Sequence, residues 1–171
     1  MDGRKDRMNK PPWRAALVLA AFMVAAILSK AGDTVLLLGG GIGNLRHPPR
    51  QAYGSLELTY KMEDHPWGLW TAAEAGGTEK YVGLGLYLAW PFKERWTFAI
   101  SSGPGWYSNR GTFNLGSELE FRSTAYLMYR WGRRARVGIS LSHFSNGGVA
   151  PHNPGAETVR VFVGIPLGRG H

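Results

Sequence analysis

After residue 30 this chain holds no apolar run long enough for a helix to cross a membrane. Instead it alternates apolar and polar residues over short stretches. Alternation with period two is the mark of a strand with two unlike faces. Eight such segments can be read, at roughly 34–44, 52–62, 67–76, 80–90, 95–107, 115–129, 134–146 and 157–167. In the sixth, Leu119, Phe121, Ala125, Leu127 and Tyr129 share one face, and Glu118, Glu120, Arg122, Thr124 and Tyr126 the other. In the fourth, Val82, Leu84, Leu86, Leu88 and Trp90 oppose Tyr81, Gly83, Gly85 and Tyr87. In the second, Leu56, Leu58, Tyr60 and Met62 oppose Ser55, Glu57, Thr59 and Lys61. The first and third alternate less cleanly, at Leu36-Leu37-Leu38 and Ala72-Ala73. The connections are rich in turn formers, such as Arg46-His47-Pro48-Pro49 and Ser108-Asn109-Arg110-Gly111.

Alternation alone fits a soluble barrel or sandwich as well as a membrane barrel. Three features favour the membrane. The polar faces carry charges of both signs, glycines and large tyrosines, as a filled barrel interior would. Trp67, Trp90, Trp96, Trp106, Tyr129 and Trp131 gather near strand ends, as interfacial girdles do. The strand count is even, and closure removes the unpaired edges that lipid does not tolerate. The expected fold is all-β: an eight-stranded antiparallel up-and-down transmembrane β-barrel after an N-terminal signal peptide.

The export signal is read from residues 1–31. Arg4, Lys5, Arg7, Lys10 and Arg14 form a basic region, Ala15 to Leu28 an uncharged apolar run of 14 residues, and Ser29-Lys30-Ala31 a small-residue cleavage site. The run is short beside the ~20 residues of a spanning helix. Residues 1–31 are therefore expected to be a signal peptide and 32–171 a single barrel domain. Without that leader the formal charge falls from +8 to +4, too mild and scattered to suggest nucleic acid. The chain has no cysteine, which excludes disulfides and thiol chemistry. No His/Asp/Glu grouping has metal-ligand spacing, so neither a metal nor another cofactor is expected.

Three polar residues fall on an apolar face. In the seventh segment Ala135, Val137, Ile139 and Leu141 share a face, and by period two so do His143 and Ser145. In the eighth, Glu157 shares a face with Val159, Val161, Val163, Ile165 and Leu167. Antiparallel pairing through the loop 147–156 would bring Glu157 close to the end of the seventh strand. With both termini in the periplasm, that loop lies on the cell surface and the three side chains lie at the outer-leaflet interface. A lipid-facing ionisable group costs least there, yet still calls for a reason. Ser145 would attack an ester carbonyl, His143 would act as general base, and Glu157 would orient the imidazole. Asn146 and the glycines behind it, Gly147 and Gly148, would supply oxyanion donors. Taken alone, Ser145-Asn146-Gly147-Gly148 reads equally well as a turn.

At His143-Phe144-Ser145-Asn146, a short glycine-containing loop and Glu157, the chain resembles the lipid A 3-O-deacylases (PagL), small outer-membrane barrel enzymes. The closing Gly164-Ile165-Pro166-Leu167 is similar to that family's last strand, and the resemblance covers about 141–167. It implies an ester hydrolase that removes the 3-position acyl chain of lipid A in lipopolysaccharide. Ser145 would be nucleophile, His143 base, Glu157 orienting acid, and Asn146 with the Gly148 backbone the oxyanion hole. Membrane lipids would surround it, and a homodimer would shield the exposed site. The competing readings are a non-enzymatic structural or adhesion barrel and a soluble exported lipid-binding barrel. Transfer of the acyl group to an acceptor other than water is a variant of the first. His47, His65 and His152 sit in turns and read as bystanders. Glu118, Glu120 and Arg122 are expected to form a polar network inside the barrel, with Arg134 and Arg136 at its periplasmic end.

Overall fold

The computed structural model describes residues 32–46, 48–108, 114–132 and 135–167. The leader read at 1–31, the tail after Leu167, His47 and Arg134 lie outside the described residues. Eight strands follow one another: β1 (Gly32–Gly43), β2 (Gln51–Met62), β3 (Trp67–Gly76), β4 (Glu79–Phe92), β5 (Trp96–Ser108), β6 (Leu119–Trp131), β7 (Ala135–Ser145) and β8 (Ala156–Pro166). Each pairs antiparallel with its sequence neighbour, and β8 returns to β1 to close the barrel. At one end the connections are tight, at 63–66, 93–95 and 132–134. The other end carries 44–50, 109–118 and 146–155 as well as the short link at 77–78. Short turns at one rim and longer loops at the other are the usual asymmetry of outer-membrane barrels.

The two faces of the wall are chemically inverted relative to a water-soluble barrel. Leu38, Leu56, Leu86, Ile139, Leu141, Val161 and Val163 are exposed on the outside. Inside lie Glu57, Arg122, Arg160, Tyr126 and Trp70, all essentially buried. Only a lipid surround removes that outer apolar surface from water. The aromatic girdle is concentrated at the tight-turn rim, where Trp67, Trp90, Phe92, Trp96 and Trp131 are exposed and stacked pairs join Trp90 to Phe98 and Phe92 to Trp96.

The irregular stretches resolve simply. In β1, Val35 and Leu37 point inward and are 1% exposed, while Leu38 points outward. In β3, Trp70, Ala72 and Glu74 point inward. The interior therefore holds an apolar plug beside its charges, and inward leucine blurs the sequence alternation.

The interior network differs in membership from expectation. Arg122 NH2 donates to Glu57 Oε2 at 2.7 Å, and Arg122 NH1 donates to Glu74 Oε1. Arg160 donates to the same Glu57 oxygen at 3.2 Å and to Ser140 Oγ at 3.0 Å. Tyr126 OH donates to Glu57 Oε1 at 2.7 Å, and the Arg122 guanidinium lies 4.1 Å from the Trp70 ring centroid. Glu120 does face inward, but neither of its carboxylate oxygens has a partner among the described residues. Glu118 is not part of the interior at all. The sixth strand begins at Leu119, four residues later than the alternation suggests, because Gly116 has φ +92° and Leu115 folds inward over the barrel mouth, 1% exposed. That turn leaves Glu118 exposed outside the strand, where Trp106 Nε1 donates to its Oε2 at 3.3 Å. At the tight-turn rim Arg136 NH2 donates to Asp33 Oδ2 at 2.6 Å. His65 is exposed in its turn.

Candidate active site

The site forms where β7 and β8 meet the 146–155 loop. Antiparallel register sets His143 directly opposite Glu157 and Phe144 opposite Ala156. His143 Nδ1 lies 3.3 Å from Glu157 Oε1. That separation is long for a charge-assisted hydrogen bond, and such contacts tighten when charge develops on the imidazole. With Nδ1–H aimed at the carboxylate, Nε2 carries the lone pair. Half of the His143 side chain is exposed on the outer wall, whereas Glu157 is tucked in at 16%.

Ser145 sits two residues beyond His143 on the same face. The pitch of a strand puts that pair about 7 Å apart at Cα. Ser145 Oγ has no hydrogen-bond partner among the described residues. Its cross-strand neighbour is Phe121, and His143 faces Ser123 across the same pair. The wall below continues with Leu141 and Val159, both exposed and directly opposed. A base, a hydroxyl and a carboxylate therefore stand at the head of an apolar strip.

The loop above them is built around Asn146. The side chain is fully buried. Its Nδ2 donates to the His152 carbonyl at 2.8 Å and to the Leu115 carbonyl at 3.2 Å, and its Oδ1 accepts from the Gly148 N–H at 2.9 Å. Both expected oxyanion donors are thus occupied within the loop. An asparagine amide has two N–H groups, and both are spent here: one ties the 146–155 connection to the 109–118 connection through Leu115, and the other braces the 146–155 connection through His152. Gly147 and Gly148 have φ +64° and +82°, the left-handed turn that lets Asn146 Oδ1 reach the Gly148 N–H.

Two residues missed by sequence reasoning touch the site. The Asn146 backbone N–H, immediately after Ser145, donates to Asn153 Oδ1 at 3.1 Å. That bond parks the Asn153 amide beside the serine backbone and leaves its Nδ2 protons unengaged among the described residues. Gly155 has φ +68°, and a Cβ there would lie 2.9 Å from His143 Cε1. The imidazole occupies the space that any other side chain would need. Nothing local in the sequence shows that a ring fills the space of the missing Gly155 side chain. His152 is exposed and contributes its carbonyl to the loop. Among the described residues no three His, Cys, Asp or Glu side chains are grouped to hold a metal ion.

The chain resembles known proteins at two levels, fold and sequence family. No curated protein sequence matches the chain. Among solved structures, the outer membrane enzyme PagL is similar over 78% of this chain and 99% of its own, with 17% identity and a TM-score of 0.57. Neisserial surface protein A is similar over 81% of this chain and 100% of its own, with 5% identity and a TM-score of 0.63. The N-terminal β-barrel domain of Pseudomonas aeruginosa OprF is similar over 79% and 98%, with 14% identity and a TM-score of 0.55. At such identities these likenesses establish the fold, an outer-membrane β-barrel. The sequence itself reaches further. A family model described as lipid A 3-O-deacylase (PagL) matches residues 52–166, from β2 to the end of β8. The chain belongs to the lipid A 3-O-deacylase (PagL) family.

Proposed function

We propose that the protein is an outer-membrane esterase that hydrolyses the 3-position acyl ester of lipid A with Ser145, His143 and Glu157. The observation that carries this reading is the cross-strand contact of His143 Nδ1 with Glu157 on the lipid-facing wall, with the Ser145 hydroxyl next on that face. His143 Nε2 takes the Ser145 proton as Oγ attacks the ester carbonyl, and Glu157 stabilises the imidazolium that results. Collapse of the tetrahedral intermediate breaks the bond to the sugar oxygen, which leaves with the imidazolium proton. Water then attacks the acyl-serine, giving up its proton to His143; the acyl–Oγ bond breaks as the imidazolium returns that proton to Ser145 Oγ, and the free fatty acid departs. Asn146 and Gly148 build the loop that follows the nucleophile, and Asn153 Oδ1 braces it by accepting from the Asn146 N–H. The longer loops above the site support a cell-surface placement, with the ester at the level of the outer leaflet.

Mass spectrometry of lipid A from a Gram-negative host tests this. Expression of the wild type is expected to remove one hydroxyacyl chain, and Ser145→Ala to leave lipid A intact. Unchanged lipid A with wild-type protein confirmed in the outer membrane would transfer the weight to a non-enzymatic barrel.

A further inference from the structure

One oxygen of Glu157 carries two partners. Arg46, in the connection between β1 and β2, brings NH1 to 3.4 Å from Glu157 Oε1. The same oxygen lies 3.3 Å from His143 Nδ1. The connection is anchored there independently, since the Leu45 N–H donates to the Glu157 carbonyl at 3.2 Å. Glu157 Oε2 is buried without a partner among the described residues. Apart from the imidazole, the carboxylate therefore has Arg46 alone among the described side chains to hold its orientation.

We propose that Arg46 is a positioning residue for the reaction: its guanidinium steadies Glu157 so that the carboxylate stays aimed at His143 Nδ1. This rests on the catalytic reading of Ser145, His143 and Glu157 given above. Arg46 acts through Glu157 and does not touch the reacting ester. Its side chain is 75% exposed, so solvent screens the pair, and an exposed ion pair shifts an equilibrium by about fivefold at most. The effect on turnover is of that order, smaller than the loss of Glu157 itself. A second task is chemically open to an exposed guanidinium at a lipid surface, namely binding an anionic group of the substrate. The two tasks separate kinetically. Positioning is felt in kcat, whereas binding of a remote anion is felt in KM.

The experiment uses the purified full-length enzyme in detergent micelles with lipid A as substrate. Arg46→Gln is expected to lower kcat about fivefold with KM changed less than twofold. Arg46→Lys, which keeps the charge, is expected to recover most of the loss. In a Glu157→Gln background, Arg46→Gln is expected to add nothing, because its route of action is already removed. A rise in KM at constant kcat would overturn the proposal in favour of substrate-anion binding. The full fivefold loss persisting beside Glu157→Gln, or no loss at all, would overturn it as well. So would an equal fall in kcat and in thermal midpoint for both the Gln and Lys variants, which marks a merely structural tie. Ser145→Ala in the same assay guards the premise: if it stays active, the reading of the site itself fails, whatever Arg46 does.

Discussion

Glu57 and Glu157 are the same side chain on opposite faces of one sheet. Glu57 points into the barrel, where Arg122, Arg160 and Tyr126 fill its acceptor positions at 2.7–3.2 Å and no surface is left to solvent. Glu157 points outward, with His143 and Arg46 at 3.3 and 3.4 Å on one oxygen and no partner on the other among the described residues. A buried charge in a narrow lumen must be fully satisfied or it destabilises the fold. A group meant to respond to a neighbour's changing charge is better left with slack. The inner carboxylate is therefore structural, and under the proposed mechanism the outer one keeps the loose contacts that a reaction can tighten.

The contrast can be broken from either face. The largest effect is expected outside: Ser145→Ala or His143→Ala should lower deacylation by at least about a thousandfold with the thermal midpoint unchanged. Residual activity above a tenth of wild type in purified protein would refute the assigned roles. Next comes the inside. Glu57→Ala leaves Arg122 and Arg160 without their shared counter-charge and is expected to cost about 3–5 kcal/mol in urea unfolding, with kcat of the folded fraction nearly unchanged. If the barrel keeps its stability and loses turnover instead, the division of labour is mistaken. Gly155→Ala sharpens the outer half. A methyl 2.9 Å from the imidazole must push it aside, and activity is expected to fall about 10- to 100-fold in the lipid A assay. Smaller still, Asn146→Ala removes three hydrogen bonds, two that brace the 146–155 loop and one that ties it to Leu115, and is expected to cost about 1–3 kcal/mol locally, read as faster proteolysis within 146–155. Glu118→Gln should fall within about 0.5 kcal/mol in unfolding, since the residue is exposed and outside the interior network.

The wall of this barrel is legible in the sequence because each outward or inward choice is made residue by residue with period two. His143, Ser145 and Glu157 land on one face for that reason, and their antiparallel register follows from it. What escapes is anything decided by loops folding onto one another. Leu115 looks like a strand residue until Gly116 turns the chain, and Glu118 then moves from the lumen to the surface. Asn146 has the chemistry of an oxyanion donor, but its protons are claimed by the carbonyls of Leu115 and His152, which are distant in sequence from one another. Gly155 is silent in the sequence because its function is a space. Family membership shows the same split. The motif at 141–167 is readable in the sequence, whereas the match to the family model runs from residue 52 to 166.

The outward position of His143 beside Leu141 and Val159 has a consequence for encounter. A lipid meeting this site never leaves its leaflet: it arrives by sliding in a plane. Turnover should then follow the mole fraction of substrate within the membrane or micelle and not its bulk concentration. Adding inert detergent at constant substrate should slow the enzyme by surface dilution alone. The released fatty acid is delivered into the same plane, so the reaction changes the composition of the leaflet that supplies it.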